Sequence, residues 1–208
     1  RSDLNVPIDN GNILDNFRIK KSIEYIEELQ NISKSVTFIS HLRRPKGVES
    51  SLSLKPVSQE MSKLLNKDVV FIKNNTDEEI KNILKTREKG IFLLENLRFH
   101  DGEISNDKKF AKEVASPFDT YILDAFGASH REHASIVSIG NYLNSFQGPL
   151  MSKEIEELDK VLKENNGDFT IILGGAKVSD KLELINNLLP RVDSLLIGGG
   201  MCFTFLKA

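Results

Sequence analysis

The feature that most constrains the fold is a regular alternation of short apolar runs with amphipathic segments. The runs are nearly all apolar, as expected for parallel strands that are covered on both faces. They lie at 36–40, 69–72, 90–94, 120–123, 169–173 and 194–197. Apolar residues at helical spacing separate them, over 17–29, 56–65, 77–86, 107–115 and 181–189. This β-α-β-α pattern predicts an α/β protein built on a doubly wound parallel sheet.

Composition and charge exclude several classes of protein. The 208 residues are 39% hydrophobic and 28% charged, which is typical of a soluble globular chain. A net charge of -2 argues against a general nucleic-acid binder. The single cysteine, Cys202, rules out an internal disulfide, and no apolar run approaches the length that spans a bilayer. We therefore expect neither a nucleic-acid partner nor a membrane partner.

One amphipathic segment, 152–164, has turn residues at both ends. Gly148 and Pro149 precede it, and Asn-Asn-Gly-Asp follows at 165–168. Such punctuation is compatible with a helix that connects two domains. It is equally compatible with one more surface helix of the same sheet.

Basic residues follow three of the predicted strands. They are His41, Arg43, Arg44, Arg98, His130 and Arg131. The carboxyl ends of parallel strands meet at one edge of a sheet, which is where ligands bind in open α/β folds. Arginine forks pair with carboxylate and phosphate oxygens, so this edge is a candidate site for a small polyanion. The carboxylates of Asp3, Glu95 and Asp124 would share the edge and orient the guanidinium groups. Any one of these arginines taken alone is more often a solvated surface residue, but the recurrence after three strands favours a site.

Two glycine turns follow the last two predicted strands. The first reads Gly174-Gly175-Ala176-Lys177-Val178-Ser179-Asp180-Lys181, and it predicts a helix that opens with two lysines on one face. A glycine turn followed by surface lysines fits that stretch equally well. The second turn, Gly198-Gly199-Gly200, lacks the Gly-x-Gly-x-x-Gly fingerprint of dinucleotide binding. This absence makes a nicotinamide-dependent oxidoreductase improbable.

No motif in the sequence indicates a metal ion that is ligated by protein side chains. The chain has neither Cys-x-x-Cys nor His-Glu-x-x-His, and no Ser-His-Asp arrangement is evident. Mg²⁺ carried by phosphate groups stays open because it needs few protein ligands.

These motifs resemble the phosphoglycerate kinase family along the whole chain. The matching stretches are 3–7 (Asp-Leu-Asn-Val-Pro), 15–19 (Asp-Asn-Phe-Arg-Ile), 40–47 (Ser-His-Leu-Arg-Arg-Pro-Lys-Gly), 94–99, 124–131, 173–181 and 198–207. The chain departs from the family at Arg43, where Gly is usual, at Leu123, where Asn is common, and at 128–129, where Thr-Ala is usual.

The resemblance implies a fold, a division into domains and an activity. The fold is a Rossmann-like, three-layer α/β/α sheet with the beginning of a second, similar domain. The domains are a phosphoglycerate-binding domain over 1–150, an interdomain helix over 151–166 and a partial nucleotide-binding domain over 167–208. The activity is reversible phosphoryl transfer between 1,3-bisphosphoglycerate with ADP and 3-phosphoglycerate with ATP, in glycolysis and gluconeogenesis. It makes the protein a phosphotransferase with a carboxyl acceptor. Mg²⁺ with ATP or ADP, a monomer and a cytoplasmic location are further implications.

The resemblance also assigns site residues. For phosphoglycerate they are Asp3, Asn5, Arg18, His41, Arg44, Arg98, His130 and Arg131. For the nucleotide they are Gly174, Gly175, Ala176, Lys177, Lys181, Gly199 and Gly200. Arg18 and Lys177 are implied to neutralise the transferring phosphoryl group, and Asp180 to help place the metal.

The length of the chain raises an alternative. There is no initiator Met, and the chain ends shortly after the second glycine turn, so we expect a fragment of the kinase. We expect this fragment to bind 3-phosphoglycerate weakly and not to make ATP. The alternative is a non-catalytic phosphoglycerate-binding module.

Overall fold

The computed structural model describes residues 1–75, 77–86, 89–163, 168–175 and 178–207. The chain divides into two compact units, Arg1–Glu154 and Ile155–Ala208. Each unit contains parallel strands with helices between them, as the alternating pattern predicts. Among the helices described, none combines the length and the apolar character needed to cross a bilayer.

Every predicted apolar run forms a strand close to its predicted bounds. The strands are β1 (Ile8–Asp9), β2 (Asn12–Ile13), β3 (Ser35–Phe38), β4 (Val69–Ile72), β5 (Gly90–Leu94), β6 (Thr120–Leu123), β7 (Asn144–Gln147), β8 (Thr170–Gly174) and β9 (Ser194–Gly198). The hairpin β1–β2 and the strand β7 have no apolar run and are not predicted. All four residues of β7 are exposed, so this strand lacks the signal by which the others are found.

The helices follow the amphipathic segments with two differences, and further helices, over 101–104, 126–129 and 201–207, lie outside those segments. They are α1 (Phe17–Ile23), α2 (Ile26–Ile32), α3 (Lys55–Leu65), α4 (Asp77–Thr86), α5 (Asp101–Ile104), α6 (Lys108–Ala115), α7 (Phe126–Ser129), α8 (Pro149–Lys163), α9 (Leu182–Leu188) and α10 (Met201–Lys207). The single helix predicted over 17–29 is wrong, since the chain turns at Glu24 and Tyr25. Ile23 and Ile26 are both buried across this turn, so the apolar spacing conceals the break.

The second difference concerns the helix after the first glycine turn. A 3-10 turn, Ser179–Lys181, precedes α9, and Lys181 stands just before the helix. The prediction of a helix that opens with both lysines on one face is therefore wrong for Lys181. Lys177 lies outside the described residues.

A short extended segment at residues 1–4 joins the two parallel sheets of the first unit. β5 lies between β3 and β4, all parallel, and β6 pairs in parallel with β7. The backbone N–H of Ser2 donates to the Ile39 carbonyl (3.1 Å), and the N–H of Asp124 donates to the Arg1 carbonyl (2.9 Å). Residues 1–4 thus link the strand end after β3 to the strand end after β6.

Both faces of the central strand are buried. Ile91 and Leu93 of β5 belong to one apolar cluster, together with Leu4. Phe92 and Leu94 belong to a second cluster on the other face. This alternation is the signature of a sheet covered by helices on both sides.

The second unit is a smaller version of the same arrangement. β8 and β9 are parallel and in register from Thr170 with Ser194 to Gly174 with Gly198. Ile172 and Leu196 are 76% and 54% exposed, whereas Ile185 of α9 and Met201 of α10 are buried.

The start of α8 is fixed against the end of β6. The Asp124 carboxylate accepts a hydrogen bond from the Met151 N–H (2.8 Å), and the Gly148 N–H donates to the Leu123 carbonyl (2.8 Å). A Cβ at position 148 would lie 2.4 Å from Cβ of Asp124, so glycine is required for this close approach.

We therefore expect Gly148→Ala to lower the free energy of unfolding by about 1–3 kcal/mol, because the added methyl group must displace the Asp124 side chain that caps α8. Urea denaturation measures the change. Gly140→Ala is the matched control, since its Cβ would meet nothing closer than Ser145 Oγ at 3.5 Å. Equal stability of the two variants would contradict the argument.

Candidate functional site

The carboxyl ends of three strands of the first unit carry the predicted basic residues. His41 follows β3, Arg98 follows β5 in a 3-10 turn (Leu97–Phe99), and Arg131 follows β6 after the short helix α7. These residues therefore stand beyond the strand ends of two neighbouring parallel sheets, which residues 1–4 link.

The guanidinium of Arg1 lies at the centre of this edge. It donates from Nη2 to Nδ1 of His41 (2.7 Å), from Nη1 to Ser40 Oγ (3.1 Å) and from Nε to Ser135 Oγ (3.1 Å). Its side chain is buried, at 6% exposure. Burial lowers the pKa of this guanidinium, and the charge of Glu103 acts in the opposite direction.

We use the name cationic rim for His41 and for the four arginines at this edge, whose charges lower the pKa of His41 or of Arg98. The members of the rim are Arg1, His41, Arg44, Arg98 and Arg131. Burial lowers the pKa of Arg98 most, and the positive charges of Arg131, Arg1 and Arg44 lower it further, with Glu103 opposing them. Burial likewise lowers the pKa of His41 to about 2, together with the charges of Arg1, Arg98, His133 and Arg131. Mutual repulsion of this kind is what a polyanion would relieve.

One donor of Arg98 has no partner among the described residues. Its Nη1 donates to the Arg43 carbonyl (2.5 Å), and its Nε is buried without an acceptor anywhere in the described part of the chain. A buried donor without a partner is costly, and it marks a place where an acceptor is expected.

The side chain of Asn96 joins the loop after β3 to the turn after β5. Its Oδ1 accepts from the N–H groups of Leu42 and Arg98 (both 3.1 Å). Its Nδ2 donates to the carbonyls of Leu42 (2.9 Å) and Leu52 (3.0 Å). Asn96 therefore fixes the backbone on which His41 and Arg98 stand.

Arg43 occupies a left-handed conformation with φ of 51° and an exposed side chain. Its N–H donates to Oδ1 of Asn5 (2.9 Å), and its carbonyl accepts from Arg98. The loop thus uses only the backbone of this residue, which explains how Arg stands where the resemblance leads one to expect Gly.

Arg18 and Asp3 form an ion pair at the side of the rim. Nη1 of Arg18 lies 2.9 Å from Oδ2 of Asp3 and 3.3 Å from the Asn5 carbonyl. The Arg18 side chain is 52% exposed, so the pair adds little stability and the guanidinium can turn towards a ligand.

The two histidines after β6 differ in their surroundings. His130 ends α7 in an exposed position, and the charges that shift His41 and Arg98 come from other residues. His133 is buried, with Nδ1 3.6 Å from Oε1 of Glu103. The structure thus places His133 close enough to the rim to act on His41.

In the second unit the two glycine turns pack against each other at the ends of β8 and β9. The Met201 N–H donates to the Gly175 carbonyl (2.9 Å), and a Cβ at Gly199, whose φ is 67°, would lie 3.0 Å from that carbonyl oxygen. A Cβ at Gly175 would lie 3.2 Å from Cε of Lys181, whereas one at Gly174 would meet nothing within 4 Å. Gly200 lies in the turn before α10. Ala176 and Lys177 are outside the described residues, as is the side chain of Asp180.

The described residues contain no group of three or more His, Cys, Asp or Glu side chains placed to hold a metal ion. The donors that the second glycine turn offers are backbone groups, and the nearby Lys181 is a cation. These residues fit a phosphate-carried Mg²⁺ better than an ion held by the protein alone.

Sequence reasoning missed Arg1, Asn96 and Glu103. For Arg1, the available signal is that a charged residue stands in an extended segment, two positions before Asp3. For Glu103 the sequence offers none, since its partners are 32 positions away.

Comparison with known proteins gives one consistent answer. The family model described as phosphoglycerate kinase matches residues 1–208. The phosphoglycerate kinases of Dictyoglomus turgidum and Rubrobacter xylanophilus are 46% and 45% identical over the whole chain. Among solved structures, phosphoglycerate kinase from Coxiella burnetii is 38% identical with a TM-score of 0.82, and that from Pyrococcus horikoshii OT3 is 29% identical with a TM-score of 0.87, each covering 99% of the chain. The chain spans 53% of both curated relatives, and 52% and 53% of the two solved chains, which is about half their length.

The lowered pKa of His41 has a consequence for acid stability. His41 takes up a proton with its ordinary pKa near 6.5 once unfolded but stays neutral in the fold, so acid favours the unfolded state. We expect the protein to lose about 2 kcal/mol more stability than His41→Gln between pH 7 and pH 5, as measured by urea denaturation. Equal losses would show that His41 titrates normally.

Proposed function

The chain belongs to the phosphoglycerate kinase family, and on that premise we propose that it acts in reversible phosphoryl transfer between 1,3-bisphosphoglycerate with ADP and 3-phosphoglycerate with ATP. This is a step of glycolysis and gluconeogenesis, with a carboxyl group as the phosphoryl acceptor. The observation that carries the proposal is the cationic rim, in which the buried Nε of Arg98 has no acceptor within the described residues.

The first unit is the phosphoglycerate-binding part in this proposal. A ligand with one carboxylate and one phosphate offers several oxygens to the arginine forks of the rim. It also offsets the repulsion among Arg1, Arg98 and Arg131. Arg18, Asp3 and Asn5 stand beside the rim, where Arg18 can exchange its partner for the ligand.

The second unit would bind the nucleotide at its two glycine turns. Gly174 leaves the backbone open to a ligand, since a Cβ there would meet nothing within 4 Å, and Lys181 lies beside Gly175. We include Gly175, Gly199, Gly200, Ala176, Lys177 and Asp180 on the strength of the family resemblance. The domain limits proposed are 1–150, 151–166 for the interdomain helix and 167–208.

The chemistry asks little of a general base, because the attacking group is already a carboxylate. Catalysis then depends on positioning and on neutralising the charge of the transferring phosphoryl group. Arg18 and Lys177 are the residues proposed for that neutralisation. Mg²⁺ bound to the nucleotide phosphates would supply additional positive charge, with Asp180 as the residue proposed to hold it.

The remaining proposals follow the family resemblance and the composition. We propose a cytoplasmic monomer whose partners are phosphoglycerate and adenine nucleotide. Neither nucleic acid nor a membrane is among the proposed partners.

For binding, we expect the 208-residue polypeptide to take up 3-phosphoglycerate in isothermal titration calorimetry, and Arg98→Met to weaken this affinity about 10- to 100-fold, because charge-assisted hydrogen bonds are lost. Arg191→Met is the matched control, since Arg191 is an exposed arginine of the second unit. Equal affinity of the two variants would contradict the assignment of the rim.

For turnover, the chain spans about half of its relatives' length, and we expect the same polypeptide to show no ATP formation from 1,3-bisphosphoglycerate and ADP in a coupled assay. The alternative function, a non-catalytic phosphoglycerate-binding module, also predicts binding without turnover. Restored turnover after addition of the remaining half of a related phosphoglycerate kinase would favour the kinase, and turnover by the polypeptide alone would refute the expected inactivity.

A further inference from the structure

We propose that Glu103 is a positioning residue for the cationic rim: through Ser135 and Arg1 it holds His41 as a neutral imidazole with its proton on Nε2. The benefit to phosphoglycerate binding rests on the function proposed above. The arrangement of the four side chains, Glu103, Ser135, Arg1 and His41, does not depend on that function.

The first link is the carboxylate of Glu103, which is fully buried in α5. It accepts from the Ser135 N–H (2.9 Å) and from the Ser135 hydroxyl (2.6 Å), and His133 lies 3.6 Å away. Burial opposes ionisation of this carboxyl group. The nearby His133, the hydrogen bonds from Ser135 and the charge of Arg1 outweigh burial and leave the pKa of Glu103 below its ordinary value.

The second link is the hydroxyl of Ser135. A hydroxyl has one proton to donate, and here that proton goes to Oε1 of Glu103. The oxygen of Ser135 is therefore left to accept from Nε of Arg1, at 3.1 Å. Glu103 thus sets the direction of the Ser135 hydrogen bonds and supplies a negative charge opposite Arg1.

The third link is the contact between Nη2 of Arg1 and Nδ1 of His41, at 2.7 Å. A guanidinium can only donate, so Nδ1 of His41 must be the unprotonated acceptor. The imidazole is then neutral and carries its proton on Nε2. His41 consequently presents an N–H donor in a fixed direction, instead of a second charge beside Arg1.

The network explains why a carboxylate is retained in the interior of the unit. An unpaired buried guanidinium would turn towards solvent, and Nδ1 of His41 would lose its donor. Without that donor the two tautomers of His41 would become comparable in population, and the ligand would meet a donor at Nε2 only part of the time.

The test uses two-bond ¹H–¹⁵N spectra of the histidine rings at pH 7, recorded without ligand. His41→Gln identifies the signals of His41 among the four histidines. We expect the Nε2–H tautomer in the unaltered polypeptide and a mixture of both tautomers in Ser135→Ala and Glu103→Gln. The dissociation constant for 3-phosphoglycerate should rise about tenfold in both variants.

Ser138→Ala is the matched control. Ser138 is also buried, but its hydroxyl donates to Oδ1 of Asn106 (2.7 Å) instead of joining the chain that leads to Arg1. The Ser138→Ala variant should keep the Nε2–H tautomer of His41 and an unchanged dissociation constant for 3-phosphoglycerate, even if it loses as much stability as Ser135→Ala. A purely structural role for Glu103 would lower stability without changing the tautomer.

Two results would overturn the proposal. One is an Nδ1–H tautomer or a protonated His41 ring in the unaltered polypeptide. The other is a Ser135→Ala variant that keeps the tautomer of the unaltered polypeptide. Ser135→Ala leaves both charges in place, so it still decides the matter if Glu103→Gln does not fold. A correct tautomer without any phosphoglycerate binding would reject the proposed function and leave the positioning role standing.

Discussion

The burial of the Arg1 guanidinium is the constraint on which the first unit depends. The backbone of residues 1–4 joins the strand ends after β3 and β6, and the side chain reaches Ser40, His41 and Ser135 from the same place. A buried charge is tolerated only when it is paired and its donors are used. Since its partners come from three stretches of chain, the contacts that satisfy this charge also determine how those stretches meet.

Much of the framework of strands and helices could be predicted from the sequence, but little of the hydrogen-bond network around Arg1 could. Apolar runs locate the buried strands, and the strand-end rule correctly brings His41, Arg98 and Arg131 to one edge. The turn at Glu24 escapes prediction because the apolar spacing continues through it. The bond between Arg1 and Ser135 joins residues 134 positions apart, and no local pattern encodes such a pairing. Helix starts after glycine turns are equally uncertain, as the 3-10 turn before α9 shows.

The rim is an electrostatically unfavourable arrangement that a ligand would relieve. Burial and like charges lower the pKa of Arg98, and the charge of Glu103 only partly opposes them. Holding His41 neutral limits this repulsion, because a protonated ring would stand directly against Arg1. A site of this design keeps its hydrogen-bond donors in fixed positions and leaves net positive charge for the ligand to neutralise. For the proposed phosphoryl transfer, where positioning and charge neutralisation are the main demands, such preorganisation is what the protein would contribute.

The loop after β3 shows which of its positions can vary. Asn5 and Arg98 both bond to the backbone of residue 43, so the side chain there is not needed for the loop, and an arginine is accommodated at the cost of a left-handed conformation. Asn96 is the opposite case, since its amide makes four hydrogen bonds of both polarities to backbone groups. Aspartate at this position would lose the two hydrogen bonds that the amide donates, and leucine would lose all four. Buried N–H and C=O groups would then be without partners. The rim therefore depends more strictly on the neutral amide of Asn96 than on the charged side chain of Arg43.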